Sequence, residues 1–223
     1  MKKFFLIALL MMVTMASNAR TKEGTLSLQP RTGFIVSTLT NMPKLPLDEE
    51  VILDNTYLMG VLFGADLEYQ LTDMVSISTG LNYTLQGSKW KDYKVVGIDV
   101  KNTKIELGYV NIPLLANVYL YKGLAVKSGV QLGFMTNAKM KSFMSFYDNT
   151  GQIDIPLDVD IMDECKKVDI SIPVGVSYEF DNHFVVDARY NFGLTNINKS
   201  DALSEEGMKN ALFIISFGYK INF

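Results

Sequence analysis

Residues 75–86 read VSISTGLNYTLQ, and taking every second residue sorts them into two unlike sets. Val75, Ile77, Thr79, Leu81, Tyr83 and Leu85 make one; Ser76, Ser78, Gly80, Asn82, Thr84 and Gln86 make the other. Side chains on an extended strand point alternately to opposite sides, so this is a strand with one apolar and one polar face. The same split recurs in 168–180 (VDISIPVGVSYEF), 184–195 (FVVDARYNFGLT) and 212–223 (LFIISFGYKINF), and less cleanly at about 25–38, 58–70, 105–120 and 124–139. In 105–120 the apolar parity changes between Leu107 and Val110, which predicts a bulge near Gly108 and Tyr109.

Alternation alone also suits a soluble sandwich with one dry face. Strand length and loop pattern separate the two. Soluble strands run about five or six residues, whereas a tilted strand needs about ten to cross a bilayer, as these do. The connections alternate between tight turns at Thr72-Asp73, Tyr121-Lys122-Gly123 and Asp181-Asn182 and long ones at about 40–56, 87–103, 140–167 and 196–210. Short turns on one side and long loops on the other are the pattern of outer-membrane barrels. The expected fold is therefore all-β: an eight-stranded antiparallel up-and-down transmembrane β-barrel, first strand paired with last, with short periplasmic turns and long extracellular loops.

The rest of the chain is consistent with export. Of 223 residues 48% are hydrophobic, the formal charge is −3, and the single cysteine and single histidine exclude a disulfide framework and a multi-histidine or multi-cysteine metal centre. The near-neutral charge argues against nucleic acid as a partner. Residues 1–19 (MKKFFLIALLMMVTMASNA) combine two lysines, a short apolar run and small residues before Ala19. They read as a cleaved signal peptide, leaving one barrel domain at 20–223.

Eight strands enclose a space that side chains can fill. The inward set carries Arg31, Lys127, Arg189 and Lys220 against Asp66, Glu68, Glu179 and Asp187, and balanced charge is what a narrow, partly dry lumen requires. Gly33, Gly64, Gly80, Gly129, Gly133, Gly175, Gly193 and Gly218 share that parity and leave room for the long polar groups. With both termini on the short-turn side, Glu68, Lys127, Glu179, Asp187 and Lys220 fall in the periplasmic half, where an ion-pair plug is expected; the alternative is that they line a solute path. Outward aromatics, Tyr69, Tyr178, Phe180, Phe184, Tyr219 and Phe223 at one level and Tyr83, Phe134 and Phe192 at the other, suit two interfacial girdles.

Ala188–Thr195 (ARYNFGLT), Tyr109–Leu115 (YVNIPLL) and Phe217–Phe223 (FGYKINF) resemble the small outer-membrane β-barrel domain of Bacteroidetes, a porin-family or PorT-like group similar in architecture to OmpX and OmpA. The resemblance covers essentially the whole exported chain. It implies that Phe217, Tyr219 and Phe223 form the signal read by the barrel-assembly machinery, and it admits membership of a surface or secretion assembly. Pro113 and Pro173 depart from a clean pattern, since each removes a ladder donor inside a strand; a bulge or a shifted boundary is expected at each.

No catalytic constellation emerges. His183 follows a periplasmic turn. Cys165 sits in the third long loop as a free, exposed thiol with no adjacent base. Asp148, Asp154, Asp158, Asp160, Asp163 and Glu164 in that loop match no calcium-loop spacing and read as solvated. In the second loop Lys89, Trp90, Lys91, Lys94 and Lys101 stand against Asp92 and Asp99, with the first four as candidate contacts for anionic lipopolysaccharide headgroups or a protein partner. No phosphate loop or dinucleotide fingerprint is present, and no cofactor is implied. The expectation is a non-enzymatic outer-membrane barrel acting through its loops in envelope structure, adhesion or a surface or secretion assembly. A narrow passive channel is the alternative, and a barrel enzyme a distant one.

Overall fold

A computed structural model describes residues 21–41, 46–48, 51–52, 55–95, 98–148, 151–199 and 207–223. The expected signal peptide lies outside the described residues, as do parts of the four long loops. Among the described residues eight strands form a ring: β1 (Leu26–Thr40), β2 (Asn55–Gln70), β3 (Val75–Trp90), β4 (Ile98–Tyr121), β5 (Leu124–Asp148), β6 (Val168–Glu179), β7 (Phe184–Gly193) and β8 (Lys209–Tyr219). Each pairs antiparallel with the next, and β8 closes on β1 with Arg31 opposite Gly218 and Thr40 opposite Lys209. The chain end continues the seam, Ile221–Asn222 pairing with Leu28 and Ser27. Closure leaves the ring without an edge, which a sheet surrounded by hydrocarbon must achieve.

The two faces invert the soluble arrangement. Phe34, Phe63, Leu81, Leu114, Val130, Val174 and Phe192 are exposed around the circumference, while Ser76, Asn82, Asn117, Lys127, Asp187 and Arg189 are buried inside. Large apolar side chains facing outward in a continuous band are stable only against lipid. The aromatic levels lie on this outer face; Phe180 packs edge-on to Tyr178 at 4.8 Å, and Phe184 stacks with Phe217 at 6.2 Å.

Both prolines are fully buried, and neither is absorbed by a bulge or lies beyond a strand end. The β3–β4 ladder runs Thr79–Leu114, then Asn82–Asn111, and the β5–β6 ladder runs Ser171–Gln131, then Val174–Ser128. Register is identical on either side of each gap. The missing N–H interrupts pairing locally, while the neighbouring ladder on the other side holds the strand in place.

The expected bulge is found at the expected height but on the neighbouring strand. Gly108 pairs with Asn137 and Tyr109 with Met135, so the extra residue is Thr136 of β5. In β4 the inward parity holds through this stretch: Ile105, Leu107, Tyr109 and Asn111 are all buried. The lumen itself turns apolar at that height, and this is what the sequence pattern records.

The second and third long loops are largely strand. β4 and β5 run 24 and 25 residues, more than twice what a bilayer crossing requires, and their upper halves pair with each other from Tyr109–Met135 to Asp99–Ser145. Tyr93–Val95 pairs on one side of this extension, and Gly151–Asp160 folds back along β5 on the other, Asp148 meeting Gly151 and Lys139 meeting Asp160. A four-stranded crest therefore rises from one wall of the barrel.

Candidate functional site

The lumen is layered. At the periplasmic end Lys220 Nζ lies 3.2 Å from Glu68 and 2.9 Å from Glu179 and donates to Tyr119 Oη at 2.9 Å. Tyr119 in turn donates to Glu68, which also accepts from Ser76 Oγ at 2.7 Å. His183, at a positive-φ turn position, brings Nδ1 within 3.4 Å of Glu179 from below. One level up, Arg31 pairs with Asp66 at 2.6 Å and Asp187 at 3.3 Å, Arg189 grips Asp187 through two contacts of 3.1 Å, and Lys127 approaches Asp187 at 3.5 Å. Ser216 Oγ accepts from Arg31, and Asn82 donates to Asp66. All eight charged residues expected inside the barrel are buried there, Glu68, Glu179 and Lys220 in the lower group and Arg31, Asp66, Lys127, Asp187 and Arg189 in the upper one.

The positions follow from strand pairing. On adjacent strands residues directly opposite share a face, so Glu68 stands opposite Ser78 through β2–β3, one inward step from Ser76, and Asp187 faces Ser216 through β7–β8. Glycines supply the space: a side chain at Gly80 would strike Asp66, one at Gly64 would strike Asn82, and one at Gly218 would strike Gln29.

Above the ions lies an amide layer, in which Asn111 donates to Thr84 at 2.9 Å, Gln131 to Asn111 at 3.1 Å and Asn191 to Gln131 at 3.4 Å. Asn210 then bridges Tyr109 Oη (3.2 Å) and Asp169 (3.1 Å). At the top the interior becomes apolar: Leu39, Trp90, Ile105, Leu107, Met135, Ala138, Cys165 and Ile197 pack into one cluster. Two loop segments fold in to complete it. Lys166 N donates to Ile197 O at 2.7 Å, Lys199 N to Glu164 O at 3.0 Å and Met135 N to Lys167 O at 2.8 Å, so the 3₁₀ turn Met162–Glu164 and the stretch around Ile197 are laced together over the mouth.

Two sequence expectations are overturned here. Trp90 is 7% exposed and belongs to this cap, so it is not a loop contact; its strand parity places it inside, whereas its lysine neighbours suggested a solvated loop. Cys165 is likewise 7% exposed, and burial raises its thiol pKa, which makes it an inert core residue rather than a free surface thiol. The cap as a whole was missed, although the parity break at Leu107–Val110 was its signal. Among the described residues no group of three or more potential ligands is placed to hold a metal ion.

The model of the outer membrane protein beta-barrel domain family matches residues 15–199. This chain belongs to that family. A search of curated proteins returns no match. Among solved structures the barrel resembles the attachment invasion locus protein Ail of Yersinia pestis (12% identity, 89% of this chain and 99% of that one, TM-score 0.44). It also resembles Neisserial surface protein A (14%, 90% and 100%, TM-score 0.42) and the outer membrane protease OmpT from Escherichia coli (12%, 92% and 99%, TM-score 0.37).

The outer face of this outer-membrane barrel carries a second group of charges, at the foot of the crest. Glu106 is held between Lys104 and Lys141, each 2.6 Å from one of its oxygens. Partial burial pushes the Glu106 pKa up, but the two lysine hydrogen bonds outweigh it and hold the carboxyl below its ordinary value; the same contact raises Lys141. Further out Lys139 pairs with Asp158 at 3.6 Å, while Lys94 and Lys101 both reach Asp99.

Proposed function

We propose that this is a non-enzymatic outer-membrane barrel with a closed lumen that works through its extracellular crest, in envelope structure, adhesion or a surface or secretion assembly. The layered lumen is the observation that supports this reading best: an ion-pair cluster below and a packed apolar cap above are two barriers in series. A conducting path would need a continuous wetted gap, which buried ion pairs and a packed apolar layer both oppose. The crest then remains as the surface that neither lipid nor lumen occupies, and function on a rigid barrel concentrates in such projections.

Single-channel recording of the purified chain in a planar bilayer tests the closed lumen. No unitary steps are expected; steady currents at modest voltage would establish the narrow passive channel instead. The motif resemblance supports placing the chain in the Bacteroidetes PorT-like group. Residues 1–19 are proposed as its cleaved export signal, checked by N-terminal sequencing of membrane-purified protein. Phe217, Tyr219 and Phe223 are proposed as its assembly signal, their exposed rings being available to a receptor before insertion.

A further inference from the structure

The foot of the crest is built in a way that the closed barrel does not require. Lys89 stands directly opposite Lys104, and Lys104 opposite Lys141, so three lysines lie side by side across β3, β4 and β5 on the outer face. Like charges in directly opposed positions destabilise a sheet unless a counter-charge serves them. Glu106 serves two of them and pins both ammonium groups, and Asp158 stands opposite Lys141 at the end of the row, so three lysines face two carboxylates and the row is left net positive. Glu106 itself faces Gly87, and beside it lies a depression of about 260 Å³ on the outer wall, with Gly60 among its lining residues. Met59, Val61 and Leu85 line one side of it and Lys104 and Glu106 the other. At this point the β2–β3 ladder is also interrupted, between Tyr57 and Val61.

The height matters. Tyr83, Val110 and Phe134 are successive partners at the upper aromatic level, and Glu106 lies four residues further along β4. At about 3.3 Å per residue on a strand tilted by about 40°, that is roughly 10 Å above the aromatic ring level, where headgroups of the outer leaflet sit.

We infer that this depression is a subsite for a phosphorylated outer-leaflet lipid, its phosphate on the Lys104–Lys141 ammonium pair beside Lys89 and its acyl chain over Met59, Val61 and Leu85. Charge complementarity and continuity with the lipid-facing wall commit the site to an amphiphile of that kind. The inference rests on the outer-membrane placement of the barrel and is independent of whether the lumen conducts.

The test uses the purified full chain in neutral detergent, titrated with bis-phosphorylated lipid A and with the same lipid after phosphatase treatment, retained lipid being counted by native mass spectrometry. Retention of the phosphorylated form is expected to fall on the order of tenfold in K104Q/K141Q, given the usual contribution of a lysine near an anionic lipid, and to be unchanged in K122Q at a periplasmic turn. K104R/K141R should restore it, which separates lost charge from lost fold. Equal retention in wild type and K104Q/K141Q overturns the site. So does equal retention of the dephosphorylated lipid, which would mean an apolar patch only. Full displacement by millimolar inorganic phosphate would mean a simple anion site and overturns the lipid assignment.

Discussion

Lys220 illustrates what a single side chain does in this lumen. Among the described residues it is the one cation paired with both Glu68 and Glu179, and all three are buried. Removing one partner from such a group leaves uncompensated buried charge, so Lys220→Met is expected to cost about 3–5 kcal/mol in urea unfolding of the micelle-embedded barrel. Cys165 makes a contrasting case. Because it is packed in the cap with its thiol pKa raised by burial, maleimide should label it only after unfolding, and fast labelling of the folded protein would show the cap to be open. Glu106 and Lys141 bring pH into the crest. Glu106 has its folded pKa below the ordinary 4.5, so its contribution is present above that value and is lost as pH falls through the lowered one. Lys141 is raised above 10.5, so its contribution is present below that value and is lost as pH rises through the raised one. Comparing wild type with E106Q in acid and alkaline unfolding series should show a small wild-type advantage that disappears at both ends.

At the scale of elements, the crest is an extension of the barrel wall rather than part of the closed ring. Its upper strands pair among themselves, and the Lys141–Asp158 pair is a natural place to end it. Replacing residues 142–157 with Asn-Gly leaves that pair closed by a two-residue hairpin turn. The shortened barrel should keep the heat-dependent gel mobility of the folded form while losing whatever association the crest provides; an unchanged set of crosslinked partners would remove the crest from the proposed function. The elements also show where sequence reading succeeds and fails. Residues 75–86 disclose their strand because every second residue faces lipid and must be apolar. Residues 87–103 and 140–167 look like loops because above the membrane neither face has to be uniformly greasy, so strand continuity leaves only a weak trace in composition. The bulge at Thr136 was legible only through its effect on the strand opposite.

For the whole molecule, two closures in series make a specific expectation. Loosening the cap alone, by Trp90→Ala with Leu107→Ala, should not produce unitary currents, because the ion-pair cluster still fills the lower lumen. Combining those changes with removal of both ionic levels, by Lys220→Ala and Glu68→Ala below and Arg31→Ala and Asp187→Ala above, should produce them, provided the variant retains the folded mobility in the gel. If the cap variant alone conducts, the ionic layer is not a barrier and the narrow channel becomes the better reading of this barrel.

Much of this architecture follows from the order of residues alone. Period-two alternation at bilayer length, with tight and long connections in turn, admits one economical solution, a closed ring of eight strands with its polar set inside. The charged residues of the lumen followed as well, because a strand's parity assigns each side chain to a face without reference to its neighbours. The cap depended on folding: whether Trp90, Cys165 and Ile197 meet over the mouth is decided by how segments remote in sequence fold back, and no local period encodes that. The lysine row at the foot of the crest is of the same kind. Lys89, Lys104 and Lys141 are scattered along the chain, and only cross-strand register makes them neighbours.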